Sequence, residues 1–158
     1  MKKVKFPIIL ILDNIRSLHN VGAIFRTAEA CNVEKIYLTG ICGKPPRKEI
    51  SKTALGAEKV VEWEYKKSIL DLIRDLQKQG YFLVAAELNQ RSINFKKADY
   101  KFPLALIMGH EREGISDEIL DLVDLIVEIP MLGVHAKSLN VATSCGIILY
   151  EMVLRVKS

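Results

Sequence analysis

The stretch from Pro7 to Thr39, PIILILDNIRSLHNVGAIFRTAEACNVEKIYLT, decides the fold. It opens on a continuous apolar run of strand length, Pro7 to Leu12, and closes on another, Lys35 to Thr39. Between them Val21, Ile24, Phe25, Ala28 and Cys31 recur with the period of one helix face, behind Asn20, a residue type that caps helices well. Strand, helix, strand is an α/β pattern, and runs that do not alternate suit strands covered on both faces. Four more such runs follow: Val60 to Trp63, Tyr81 to Ala86, Leu104 to Met108 and Leu125 to Ile129. A second helical pattern, Ile69, Leu72, Ile73 and Leu76, lies between Ser68, with Asp71 three residues on, and Gly80 as a stop. The expected fold is α/β, with a mostly parallel six-stranded sheet and helices on both faces.

The 158 residues suit a single domain over 1–158, a size that buries roughly 70% of the unfolded surface. No repeat, low-complexity tract or linker divides them. Val, Ile and Leu dominate the apolar set and aromatics are 7%, which disfavours a sandwich built on Tyr and Trp. The basic start, MKKVKF, leads into an apolar run that ends at Asp13, too short for a membrane span or a cleaved signal. A net charge of +4 permits RNA binding without demonstrating it. Cys31, Cys42 and Cys145 are odd in number and lack CxxC spacing, which reads as reduced thiols in a cytoplasmic protein. His19, His110 and His135 are scattered, and no metal site is expected.

Two segments stand out. Gly40 to Ser51, GICGKPPRKEIS, is the most loop-like: Pro45 and Pro46 oppose a regular helix. Its Lys44, Arg47 and Lys48 make it either an RNA-facing loop or a solvated surface loop. The last helical stretch, Leu139 to Val156, carries one apolar stripe of Val141, Cys145, Ile148, Met152 and Val156 and a second of Ile147, Tyr150 and Leu154. A helix apolar on two sides is buried on two sides, and one small core covers only one of them. A homodimer through this helix is the economical reading; burial within one chain is the alternative.

In parallel sheets ligands bind beyond the carboxyl ends of the strands. Here those ends carry ELNQRS (Glu87 to Ser92), GHEREGIS (Gly109 to Ser116) and PMLGVHAKSLN (Pro130 to Asn140). The last two, rich in Gly and polar groups, let backbone approach a ligand closely, and Ile129, Met131 and Leu139 supply apolar walls suited to a flat heteroaromatic such as adenine. The dinucleotide fingerprint, the P-loop and the GxSxG elbow are all missing.

Asn20 to Ala28 (NVGAIFRTA), Leu106 to Ile115 (LIMGHEREGI) and Ile129 to Glu151 (IPMLGVHAKSLNVATSCGIILYE) resemble, in order, the three motifs of SpoU/TrmH-type RNA ribose 2′-O-methyltransferases of the SPOUT superfamily. The resemblance spans most of the chain. It implies a SPOUT-like C-terminal trefoil knot, an exception to the rule against knots. It also implies S-adenosylmethionine (S-adenosyl-L-methionine) as donor, an RNA substrate (tRNA or rRNA, tRNA favoured) and a homodimer whose RNA site uses both subunits. By matching positions, Arg26 resembles the catalytic arginine, and Asn20, Glu111, Ser138 and Asn140 complete the catalytic set. Gly109, Ile129, Met131 and Leu139 fall where the family cradles the donor. The chain departs from the frequent SLNVSVA in reading SLNVATS, so Ala142 stands for a serine.

Each residue also has a structural reading. Arg26 lies opposite the apolar stripe of its helix, where arginines are ordinarily solvated, and Asn20 can be a helix cap. Glu111 can hold its loop by accepting backbone amides, and Ser138 and Asn140 can begin the last helix. A catalytically silent RNA-binding module of the same fold and an adenosine-type cofactor enzyme acting on a small molecule are the competing functions. Retention of Arg26, Asn20 and SLN as a set argues against the silent module.

Overall fold

The structure, a computed structural model, describes residues 4–157. Met1 to Lys3, half of the basic start, lie outside the described residues. Strand β1 (Phe6–Asp13) is followed by α1 (Leu18–Ala30), β2 (Val33–Thr39) and α2 (Lys48–Ala54). A 3-10 turn at Ala57–Lys59 leads into β3 (Trp63–Lys66), α3 (Ile69–Lys78) and β4 (Phe82–Ala86). Then come β5 (Ile93–Asn94), β6 (Leu104–Met108), α4 (Asp117–Leu120), β7 (Leu125–Glu128) and α5 (Val141–Lys157). The strands form one sheet in the order β3-β2-β1-β6-β4-β7-β5, and every pairing in it is parallel.

The sheet has seven strands where six apolar runs were expected. The additional one, β5, is two residues long and pairs only with the outer edge of β7, so it carries no apolar run to read. The expected strand at Val60 to Trp63 lies instead at Trp63–Lys66, because Val60 and Val61 donate back to Ala57 and close the preceding turn. In the Gly40 to Ser51 segment the stretch from Gly40 to Arg47, with its two prolines, is irregular, and α2 starts at Lys48. Ser17, not Asn20, caps α1: its side chain accepts from the Asn20 backbone N–H at 3.2 Å. Asn20 thus sits in the first turn with its amide group released for other partners. The last helix begins at Val141, leaving Ser138 and Leu139 in the loop before it.

Helices cover both faces of the sheet. On one, α1, α2 and α5 bury Val21, Ile24, Phe25, Ile50, Cys145, Ile148 and Met152 against Ile8, Leu10, Leu12, Ile36 and Leu106. On the other, Leu72, Ile73 and Leu76 of α3 and Ile119 and Leu120 of α4 pack on Ile9, Ile11, Leu83, Ala85, Ala105 and Ile107. Alternate residues of β1 therefore serve two cores, which explains its unbroken apolar run. Gly22 lets α1 meet α2, since a Cβ there would collide with the Thr53 hydroxyl and the Ile50 carbonyl. The first stripe of α5 is buried at Cys145, Ile148 and Met152 and half-buried at Val141 and Val156, while Ile147, Tyr150 and Leu154 remain 39%, 47% and 62% exposed. Among the described residues no helix is long and apolar enough to cross a membrane.

Candidate active site

The segments beyond β4, β6 and β7 converge with the start of α1 on a pocket of about 420 Å³, within the usual range for small-molecule sites. Met108, Val127, Ile129, Met131 and Ile148 supply its apolar lining, and Glu87, His110, Glu111, Glu128 and Lys137 its charged and polar rim. Of the nine residues expected from the sequence, Asn20, Glu111, Ser138, Asn140, Gly109, Ile129, Met131 and Leu139 all line it. Arg26 does not. It is exposed on α1 over a separate depression shared with Ala23, Thr27, Lys52, Thr53, Leu55 and Tyr150.

A hydrogen-bonded relay joins the three motif segments. The Glu111 carboxylate accepts the backbone N–H groups of Arg16 at 3.2 Å and Ser17 at 3.0 Å, and the Asn20 side-chain amide at 3.4 Å. The Asn20 carbonyl oxygen in turn accepts from the Asn140 amide at 3.1 Å. Asn140 then caps α5, its Oδ1 accepting from Ala142 N at 2.9 Å and Thr143 N at 3.1 Å. Burial alone would raise the Glu111 pKa, but the donors of Ser17 and Arg16 and the Asn20 amide outweigh it, and the carboxyl titrates below its ordinary value. Glu111 is therefore an ionised bracket between two loops.

The loop after β6 folds back on itself. His110 Nδ1 accepts the backbone N–H groups of Arg112 at 3.1 Å and Glu113 at 3.0 Å, which makes it an acceptor and leaves Nε2 to carry the ring proton. Gly114 N donates to His110 O at 2.9 Å. A Cβ on Gly109 would lie 2.5 Å from Ile115 Cγ1 and 2.9 Å from the Gly114 carbonyl. The glycine is thus demanded by the loop's own return, a constraint additional to the close ligand approach expected from the sequence.

The model of the SpoU rRNA Methylase family matches residues 7–150, which contain the whole relay and, apart from Phe6 at the start of β1, every strand of the described residues. The chain belongs to the SpoU rRNA Methylase family. Relatives of this SpoU chain include the tRNA (guanosine(18)-2'-O)-methyltransferase of Aquifex aeolicus, 35% identical over 96% of the chain and 71% of that protein. The enzyme of the same name from Escherichia coli K12 is 32% identical over 89% of the chain and 60% of its own length. Among solved structures, the AdoMet-bound rRNA methyltransferase of Sinorhizobium meliloti superposes with a TM-score of 0.90 at 30% identity, covering 100% of the chain and 60% of that protein. The SpoU chain therefore spans less than two thirds of the E. coli and S. meliloti proteins.

Motif reading missed the β4 side of the pocket. Glu87 and Leu88 line it, and Glu87 accepts from Ile115 N at 2.6 Å. Their signal in the sequence is position: they are the first residues past a buried parallel strand. Lys137 and Ser144 of the third motif also line the pocket and were left out of the expected set.

Proposed function

We propose that the chain methylates a ribose 2′-hydroxyl of tRNA or rRNA from S-adenosylmethionine, with tRNA favoured. The observation that carries this reading is the relay Glu111–Asn20–Asn140, which brings three distant segments of a SpoU-family chain to one adenosine-sized pocket. The names of the A. aeolicus and E. coli relatives support the reaction and favour tRNA, with a guanosine as target. The AdoMet-bound S. meliloti structure supports the donor.

The pocket's residues fit that donor. Main chain at Gly109, Ile129 and Leu139 would hold its adenosyl part against the apolar lining, and the carboxylates of Glu111 and Glu128 complement a cation. Bound there, the sulfonium supplies an activated methyl group, so the protein's task is mainly orientation. Asn20, Ser138 and Asn140 fix the geometry at the pocket mouth, while Glu111 holds the loops that carry them. Arg26 grips a phosphate beside the target ribose with its planar fork and, with that phosphate, polarises the 2′-hydroxyl. A guanidinium stays protonated, so the role assigned to it is electrostatic.

Because Arg26 faces away from the pocket of its own subunit, the active site in this reading is completed across a homodimer. The exposed Ile147, Tyr150 and Leu154 of α5 support that assembly, and Tyr150 borders the Arg26 depression. A trefoil threading of the C-terminal segment belongs to the same proposal: α5 follows β7, near one margin of the sheet, yet packs on α1. The cytoplasm is the proposed location, where the three free cysteines stay reduced.

The deciding experiment incubates the protein with methyl-labelled donor and separated tRNA and rRNA, then maps ribose methylation. Transfer to a 2′-oxygen of tRNA is the expected result. Donor binding without transfer to any RNA would make the chain a silent module of the fold.

A further inference from the structure

We infer that Glu87 is a positioning residue for the methyl donor, acting through the loop that follows β6. The inference rests on the reading that the donor occupies the pocket beyond β4, β6 and β7.

Glu87 is the first residue past β4, and its own backbone N–H donates to Val127 O at 3.0 Å, which anchors it to the neighbouring strand β7. From that anchor its carboxylate Oε2 accepts the backbone N–H of Ile115 at 2.6 Å, a short charge-assisted bond between segments 28 residues apart. The carboxylate fills the space beside Gly114, where a Cβ would collide with it, and Gly114 holds φ at +68°. Gly114 is also the residue whose N–H closes the turn onto His110 O. Gly109 at one end of this turn and Glu111 within it both line the pocket.

The turn is thus fastened at two points. Glu111 ties its near side to the α1 loop, and Glu87 ties its return to the β4–β7 edge. Without Glu87 the Ile115 N–H loses its acceptor in a partly buried position, and the segment beside Gly109 is free to shift into the pocket. Glu87 then sets the width of the donor pocket without belonging to any of the three motifs.

The test uses the full chain and S-adenosylmethionine in titration calorimetry without RNA, with KM and kcat measured separately on tRNA. Glu87→Leu removes the acceptor and is expected to weaken donor binding at least about tenfold. Glu87→Gln keeps an acceptor oxygen for Ile115 and is expected to stay within about threefold of wild type. In turnover the Glu87→Leu loss should appear in the donor KM, with kcat recovered at saturating donor. Should Glu87→Leu fail to fold, Glu87→Ser, too short to reach Ile115, carries the same expectation.

Wild-type donor affinity in Glu87→Leu or Glu87→Ser overturns the proposal. So does a Glu87→Gln variant as defective as Glu87→Leu, which would assign the effect to charge. Leu139→Arg, which puts a long cation into the pocket wall, separates the two readings. If it binds donor normally, the pocket is misassigned; if it abolishes binding while Glu87→Leu does not, only the Glu87 role fails.

Discussion

Arg26 separates packing from chemistry at the scale of one residue. It is exposed and lines no part of the donor pocket, so Arg26→Ala should leave the melting temperature and donor affinity nearly unchanged. Single-turnover methylation at saturating RNA should nevertheless fall at least about a hundredfold, a few kcal/mol of transition-state stabilisation. Arg26→Lys keeps charge without the planar fork and should recover little; near wild-type rates in Arg26→Ala would make the arginine a surface residue. Glu111 makes a different, pH-dependent prediction. Its folded pKa is lowered, so its stabilising contribution is present above the ordinary carboxylate pKa and is lost as pH falls through the lowered value. The melting-temperature gap between wild type and Glu111→Gln should be widest near neutral pH, start to shrink as pH falls below the ordinary glutamate value of about 4.3, and close below the lowered folded value; a gap independent of pH would contradict the bracket. Most of the pocket was legible residue by residue, because motif positions and pocket residues coincide from Asn20 to Asn140. Glu87 was legible only by its place at a strand end, and its bond was not, because a carboxylate that accepts a backbone N–H 28 residues away leaves no local pattern.

At the scale of elements, α5 shows what periodicity can and cannot say. Its two apolar stripes were readable, and the structure buries one and leaves the other uncovered. Its true start was not readable, since Ser138 and Leu139 continue the apolar and polar pattern without being helical. What stops the helix at Val141 is the Asn140 cap, itself held by Asn20. Asn140→Ala should therefore cost about 1 kcal/mol of stability as a lost cap, measurable by urea denaturation, and should weaken methyl transfer by more than that loss explains. Strand β5 and helix α2 escaped for opposite reasons: one is too short to show a pattern, the other follows two prolines that advertise a loop. The junction of α1 and α2 has no slack either. Gly22→Ala drives a methyl group into the Thr53 hydroxyl and the Ile50 carbonyl, and overpacking of this kind costs about 1–3 kcal/mol. An unchanged melting temperature would show that α2 can move away.

For the whole molecule, the uncovered stripe and the displaced Arg26 predict the same assembly. Sedimentation at micromolar concentration should give a dimer, and Ile147→Glu or Leu154→Glu should give folded monomers that bind donor but no longer methylate. RNA recognition is tested by the loop after β2, where Lys44 stands 4.3 Å over the Tyr65 ring and Arg47 pairs with Glu49 at 3.3 Å, both cations still exposed. Replacing Lys44, Arg47 and Lys48 together should lower the slope of log affinity against log salt by about two; an unaltered slope would remove the loop from the RNA surface. The strand order carries one more consequence, for synthesis rather than for catalysis. Leu10 pairs with Ile36 on one side and with Leu106 on the other. As the chain leaves the ribosome, β1 gains β2 early, while its second edge stays unsatisfied until β6 has emerged. That edge is the unbroken run PIILIL, the kind of ribbon that recruits other chains. Nascent chains halted before Leu104 should pellet or be held by chaperones, and those released beyond Val156 should not, so a translational pause before β6 should lower the yield of native protein.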